Sequence, residues 1–294
     1  MESANFRRNP EKIALLTDSC ADLSEKQRKN KPIFVLPLKI RCEQGEFSDG
    51  VDIFAEDVYR LQQRGEALHT SLPDGGSVQE MLDRIAGMGF EKVIAVHLSS
   101  GLSGTYNLVR LQAQAREDLE IRVFDSMSGS LGIGIMLLQA WEDICEGMSW
   151  KELTEQRMPF LVENTWPFFS IDTLEYLQKG GRIGKITALA GTMLNIKPVI
   201  GFSEDGQLAS VAKVRGRKAV QPKLIELLKA RQGGHKRYNI AVANGGAPEE
   251  MAELSKKMKE AFPDAEHFWA GELDATLSTY IGSGVLGAGI QFLD

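Results

Sequence analysis

An apolar run, Val93 to Leu98, passes directly into Ser99-Ser100-Gly101-Leu102-Ser103-Gly104-Thr105-Tyr106, and a second apolar run, Ile121 to Phe124, follows one helix length later. A short apolar run is a buried strand, and hydroxyl and glycine residues after it make a turn that opens a helix. The spacing therefore predicts a strand–helix–strand unit, with the helix starting near Gly104. Such a unit brings its strands together in parallel and needs helices over both faces of the sheet. It also leaves free backbone N–H groups and serine hydroxyls at a helix start, where the dipole favours an anion.

The alternation extends along the chain. Ile13 to Thr17 reads as a buried strand followed by Asp18-Ser19 and a helix near Ser24. Ile33 to Ile40 is a strand whose internal Pro37 suggests an edge or a bulge. Ser77 with Glu80, and Ser149 with Glu152, have the spacing of helix capping boxes. Asp125-Ser126 leads into a helix over 131–146. After Asn164-Thr165, Pro167 to Ile171 is a strand, and a helix is expected over 186–194. Val199 to Phe202 and Leu208 to Val214, joined by Glu204-Asp205-Gly206, form a β-hairpin. Helices follow over 218–231 and 248–261, with strands over 238–243 and 267–272. The apolar, glycine-rich stretch 282–293 reads as a short tail. The expectation is an α/β protein of two α/β domains, 1–163 and 164–294, with mainly parallel sheets flanked by helices and a ligand crevice between them.

Several function classes fall away on composition and motif. The net charge of -6 opposes binding to nucleic acid. Cys20, Cys42 and Cys145 are odd in number and widely spaced, which fits free thiols in a reducing cytosol. No run approaches the ~18 apolar residues of a membrane span. The N-terminal stretch lacks the apolar core of a signal peptide. Gly180-Gly181-Arg182-Ile183-Gly184-Lys185 lacks P-loop spacing, since Ile186 stands where Ser or Thr is required. The four histidines, His69, His97, His235 and His267, form no metal motif and sit near no GxSxG nucleophile elbow.

The remaining candidates bind rather than react. In the 99–106 loop, Ser100 with Ser99 or Ser103 would grip an anionic head group, although serine caps and turn glycines explain the same letters. Thr70-Ser71 before Leu72-Pro73 offers a second hydroxyl pair. Arg215 and Arg217 stand just past a strand, where an arginine could pair with a carboxylate or simply face solvent.

Taken together and in order, these segments resemble the DegV family. The matching residues are Asp18-Ser19, Thr70 to Pro73, Ser99 to Tyr106, Asp125-Ser126, Asp172 to Leu177 leading into Gly180 to Lys185, Leu194 to Pro198, Lys213 to Lys218, and Gly282-Ser283-Gly284. The resemblance spans roughly 13–293. It implies a bacterial cytoplasmic protein, not itself an enzyme, that needs no cofactor; a monomer is expected separately, because no amphipathic seam stands out in the sequence. Its ligand would be one long-chain fatty acid, buried in an apolar tunnel between or within the two domains. It would present that acid to a separate fatty acid kinase, whose acyl phosphate feeds phospholipid synthesis. The carboxylate site so implied comprises Thr70, Ser71, Ser99, Ser100 and Gly101, with Arg215 as a nearby charge; the tail would run beneath the 186–194 helix. The family's usual histidine before Val/Thr-Gly-Pro-Gly is here Tyr280, and Ser283 replaces the proline. A tyrosine still donates to a carboxylate but carries no charge at neutral pH. A carrier of another anionic amphiphile, and a phosphotransferase acting on a small anion, are the alternatives.

Overall fold

The structure, a computed structural model, describes residues 6–189 and 195–294. Its strands are β1 (Ile13–Asp18), β2 (Ile33–Leu36), β3 (Lys39–Cys42), β4 (Gly45–Ser48), β5 (His69–Ser71), β6 (Lys92–His97), β7 (Glu120–Asp125), β8 (Thr165–Ser170), β9 (Ile196–Phe202), β10 (Leu208–Arg215), β11 (Tyr238–Gly245), β12 (Phe268–Glu272) and β13 (Val285–Phe292). They form three sheets, ordered β2-β1-β6-β7, β4-β3-β5 and β10-β9-β8-β13-β11-β12.

The first sheet is parallel throughout, with Leu15 beside both Ile33 and Ile94, and Val93 beside Ile121. Alternation along β1 sends Ile13 and Leu15 to one face, against Ile133, Met136 and Leu137. It sends Ala14 and Leu16 to the other, against Val78, Leu82, Ile85 and Val109. Both faces are thus covered by helices, which is why β1 is buried along its whole length. Pro37 follows β2, and β2 is an edge strand. The helix Gly75–Gly87 starts earlier than the Ser77/Glu80 pattern suggests: Asp74 is its cap and accepts from the Ser77 amide at 2.8 Å. Ser149 and Glu152 do form their capping box.

The helix Leu131–Cys145 is apolar on nearly every side, because it is packed between sheets. Ile133, Met136 and Leu137 face the first sheet, while Leu131 and Ile135 join the core of the six-stranded one. In that second sheet the parallel expectation fails. Only β11 and β12 pair in parallel; the four other pairings are antiparallel. The cause is β13. The stretch read as a tail is a fully buried central strand between β8 and β11. Leu286, Ala288, Ile290 and Phe292 pack on the helices Val220–Gln232 and Pro248–Ala261. Gly287 and Gly289 turn to the opposite face and leave room there.

The strands of the four- and three-stranded sheets all precede residue 163, and those of the six-stranded sheet all follow 164. The expected 186–194 helix is a 3-10 turn, Gly184–Leu189, as far as the described residues extend, and 190–194 lie outside them. The small third sheet sets Ile40 opposite Thr70 and Lys39 opposite Ser71. Ile40 of this sheet packs with Ile53 and with Val58 of the helix Ala55–Gln63 on Ala275, which seats the helix Ala275–Ile281 beside β5.

Candidate functional site

A cavity of about 180 Å³, the space swept by the centre of a water-sized sphere, opens between these elements. Apolar side chains from every layer wall it: Leu38, Leu98, Leu131, Ile135, Phe202 and Leu277 among them. Its floor is the open face of the second sheet, where Ala241, Ala243, Gly287 and Gly289 stop short of filling the space. Large residues at those positions would have closed the core, as they do on the helix-covered face.

Polar groups gather at one part of the wall. Thr70, Ser71, Ser103, Arg182 and Tyr280 line it together. The Thr70 Oγ1 and the Tyr280 hydroxyl are 2.5 Å apart, joining β5 to the helix Ala275–Ile281. The Arg182 guanidinium lies 5.0 Å from the centre of the Tyr280 ring, and its Nη1 donates to the Gly180 carbonyl at 2.7 Å. Gly180 must be glycine for this: a Cβ there would come 2.3 Å from Cδ1 of Tyr280.

The helix that carries Tyr280 is held firmly. Asp49 accepts from the amides of Ala275 and Thr276, each at 3.0 Å, and Asp274 caps the Leu277 amide. Carboxylates at a helix start are favoured by its dipole. Tyr59 and Ser278 share a hydrogen bond of 2.9 Å, and Gln62 donates to the Ser278 and Thr279 carbonyls. Burial pushes the Tyr59 phenol up to about 12. Asp22 accepts from the Asp274 amide at 2.7 Å and from the Ser130 hydroxyl. Burial pushes its carboxyl up to about 7. Asp274 is raised well above the usual carboxylate range by burial first, then by Asp49 and Asp22.

The structure divides the residues singled out by sequence. Thr70, Ser71 and Tyr280 line the cavity together. Ser99, Ser100, Gly101 and Arg215 are not among its lining residues. Ser99 is fully buried; its hydroxyl donates to the Gly206 carbonyl at 2.8 Å and accepts from the Gly101 amide. Gly101 presses so closely on the β9–β10 turn that a Cβ would lie 2.5 Å from the Gly206 backbone. The loop therefore docks its first residues on the second half of the chain, and it is Leu102 and Ser103 that reach the cavity. Ser100 is exposed, with its amide bonded to Asp125 at 3.1 Å. Arg215 is also exposed, at the end of the edge strand β10. The cation at the cavity is instead Arg182, from the glycine-rich stretch whose mismatch to a P-loop had left it without a role. Arg217, two residues past Arg215, pairs with Glu250 and donates to the Gly284 carbonyl.

Asp18, Ser19 and Asp125 organise loops. Asp18 accepts from the Cys20 and Leu98 amides and faces His97 Nδ1 at 3.0 Å, tying together the ends of β1 and β6. Ser19 accepts from the Leu38 amide. Among the described residues no set of His, Cys, Asp and Glu is placed to hold a metal ion, and no helix is long and apolar enough to cross a membrane.

Comparison with known proteins agrees with this architecture. A DegV domain-containing protein of Clostridium acetobutylicum is 36% identical over 277 residues, which span 94% of this chain and 98% of that protein. The solved structure of a DegV family protein from Thermus thermophilus, described for its fatty acid binding, superposes with a TM-score of 0.89 at 29% identity, covering 96% of this chain and 100% of that one. DegV of Bacillus subtilis, described as a fatty acid binding protein, gives 0.86 at 26% identity, covering 96% and 99%. The sequence model of the DegV family, a family described as uncharacterised, matches residues 12–292, and on that extent this chain belongs to the DegV family.

Proposed function

We propose that this protein is a carrier that buries one long-chain fatty acid and presents it to a separate fatty acid kinase. The observation that carries this reading is an apolar cavity with its hydroxyls and one arginine gathered in one place. An ionised carboxylate is costly to bury unless hydrogen-bonded. Thr70, Ser71 and Tyr280 supply neutral donors, and Arg182 supplies a positive charge. When a carboxylate enters, the Thr70–Tyr280 bond opens and both hydroxyls turn to it. The tail then needs only apolar walls. At roughly 0.8 kcal/mol per buried CH₂, about fourteen methylenes contribute on the order of 11 kcal/mol before the entropy of association is subtracted.

The fatty acid binding described for the Thermus and Bacillus relatives supports the ligand. The kinase partner is what the resemblance to the DegV family implies, and in this reading that separate protein converts the carboxylate to an acyl phosphate. In this reading residues 1–163 and 164–294 act as two units closing over the ligand. The protein works as a monomer in the bacterial cytoplasm, and the acyl phosphate made from its cargo enters phospholipid synthesis.

Mass spectrometry of organic extracts tests the carrier reading. Protein purified from bacteria is expected to hold one long-chain fatty acid per chain, and the double variant Thr70→Val, Ser71→Ala to hold much less. A native protein that stays empty after incubation with oleate refutes it. ATP consumption by the isolated protein in the presence of oleate would point instead to a phosphotransferase.

A further inference from the structure

The cavity wall holds a second set of polar groups that a plain fatty acid leaves idle. Thr276 lines the cavity, is 1% exposed, and its Oγ1 has no hydrogen-bond partner. Its backbone amide is already committed to Asp49, so only the hydroxyl is spare. Thr276 stands four residues before Tyr280 on the same helix face, about 6 Å along the axis. Ser130 lines the cavity from the opposite layer. It sits at φ +56°, ψ -145°, a conformation that non-glycine residues adopt only when the surroundings force it. Its hydroxyl donates to the buried Asp22 carboxyl. A buried polar atom without a partner is unfavourable, and one on a residue of a cavity wall needs an explanation.

We propose that Thr276 and Ser130 form a second polar subsite within the cavity, which takes a hydroxyl oxygen carried on the acyl chain itself. The ligand class is thus a hydroxylated long-chain fatty acid. A hydroxyl can accept from Thr276 and donate to the Ser130 oxygen at once. A second carboxylate does not fit, because a buried carboxylate needs several donors and, with the Ser130 hydroxyl already donating to Asp22, only the Thr276 hydroxyl is free to donate. Discrimination by such a subsite comes from leaving its polar groups unpaired when the plain acid binds.

This inference rests on the carrier reading, and one experiment separates the two. Delipidated wild type and Thr276→Val are titrated with stearate and with 2-, 3-, 10- and 12-hydroxystearate by calorimetry. For wild type, at least one hydroxystearate is expected to bind about fivefold or more tighter than stearate. In Thr276→Val that preference disappears while stearate binds as before. The unliganded variant melts no lower than wild type, since the hydroxyl removed has no partner. The inference is overturned if no isomer is preferred, if the preference survives the substitution, or if the unliganded variant melts lower. Loss of stearate binding in Thr276→Val also overturns it, because the head group itself would then sit there. Failure of wild type to bind any of the five acids sinks the carrier reading and this inference with it.

Discussion

Replacing Asp22 with asparagine should change how stability depends on pH. The side chain is buried where three parts of the chain meet, accepting from the Asp274 amide and from Ser130. Burial raises its carboxyl from 3.8 to about 7, against the lowering effect of those hydrogen bonds. A carboxyl raised in the folded state keeps its proton after the unfolded chain has lost its own. The stability it allows is therefore complete below about pH 4 and is lost as pH rises through about 7. At 1.36 kcal/mol per pH unit the whole loss is about 4 kcal/mol, of which about 3 falls between pH 4.5 and pH 8. Asp22 titrates together with Asp274, so the loss belongs to the pair. Asparagine is uncharged at every pH and tolerates the left-handed backbone at this position, φ +52°. Its oxygen can accept from the Asp274 amide while its NH₂ donates to Ser130. Urea denaturation of both proteins at pH 4.5 and pH 8 is the assay. The unfolding free energy of Asp22→Asn should gain about 3 kcal/mol on wild type over that interval. A gap that stays constant within about 1 kcal/mol, or one that shifts in favour of wild type, refutes the assignment of a proton to this pair.

Three further outcomes are expected. Thr70→Val with Ser71→Ala removes two donors to the carboxylate and should weaken stearate binding by about 10- to 100-fold with little change in melting temperature, as read by calorimetry and thermal scanning. Gly180→Ala forces the Tyr280 ring aside, so binding should weaken although residue 180 bears no polar group; unchanged affinity would mean that Tyr280 takes no part. Ala241→Phe fills the floor and should abolish stearate binding while decanoate still binds, with the unliganded melting temperature equal or higher; equal loss of both acids would place the head group, rather than the tail, at the floor.

Local sequence determined what depends on neighbours along the chain. The apolar run of β1, the strand–helix–strand unit of 93–124, the hairpin of β9 and β10 and the Ser149 cap all follow from periodicity and turn chemistry. The Thr70-Ser71 pair also stood out locally, and both residues line the cavity. What depends on distant partners was decided by tertiary structure. Glycine-rich 285–292 has few of the side chains that mark a strand, yet β8 and β11 on either side supply its hydrogen bonds and make it the centre of a sheet. Ser99 and Gly101 read as ligand-binding because such loops often are; Gly206, more than a hundred residues away, occupies them instead. Arg182 and Arg215 are equally basic on paper, and only the packing of Tyr280 over Gly180 brings the first to the cavity. Asp22, Asp49, Thr276 and Ser130 carry no common motif, because they come from separate loops and helices. Periodicity and turns are fixed over a few residues, whereas the pairing of buried polar groups is fixed by which segments the folded core brings within 3 Å of one another.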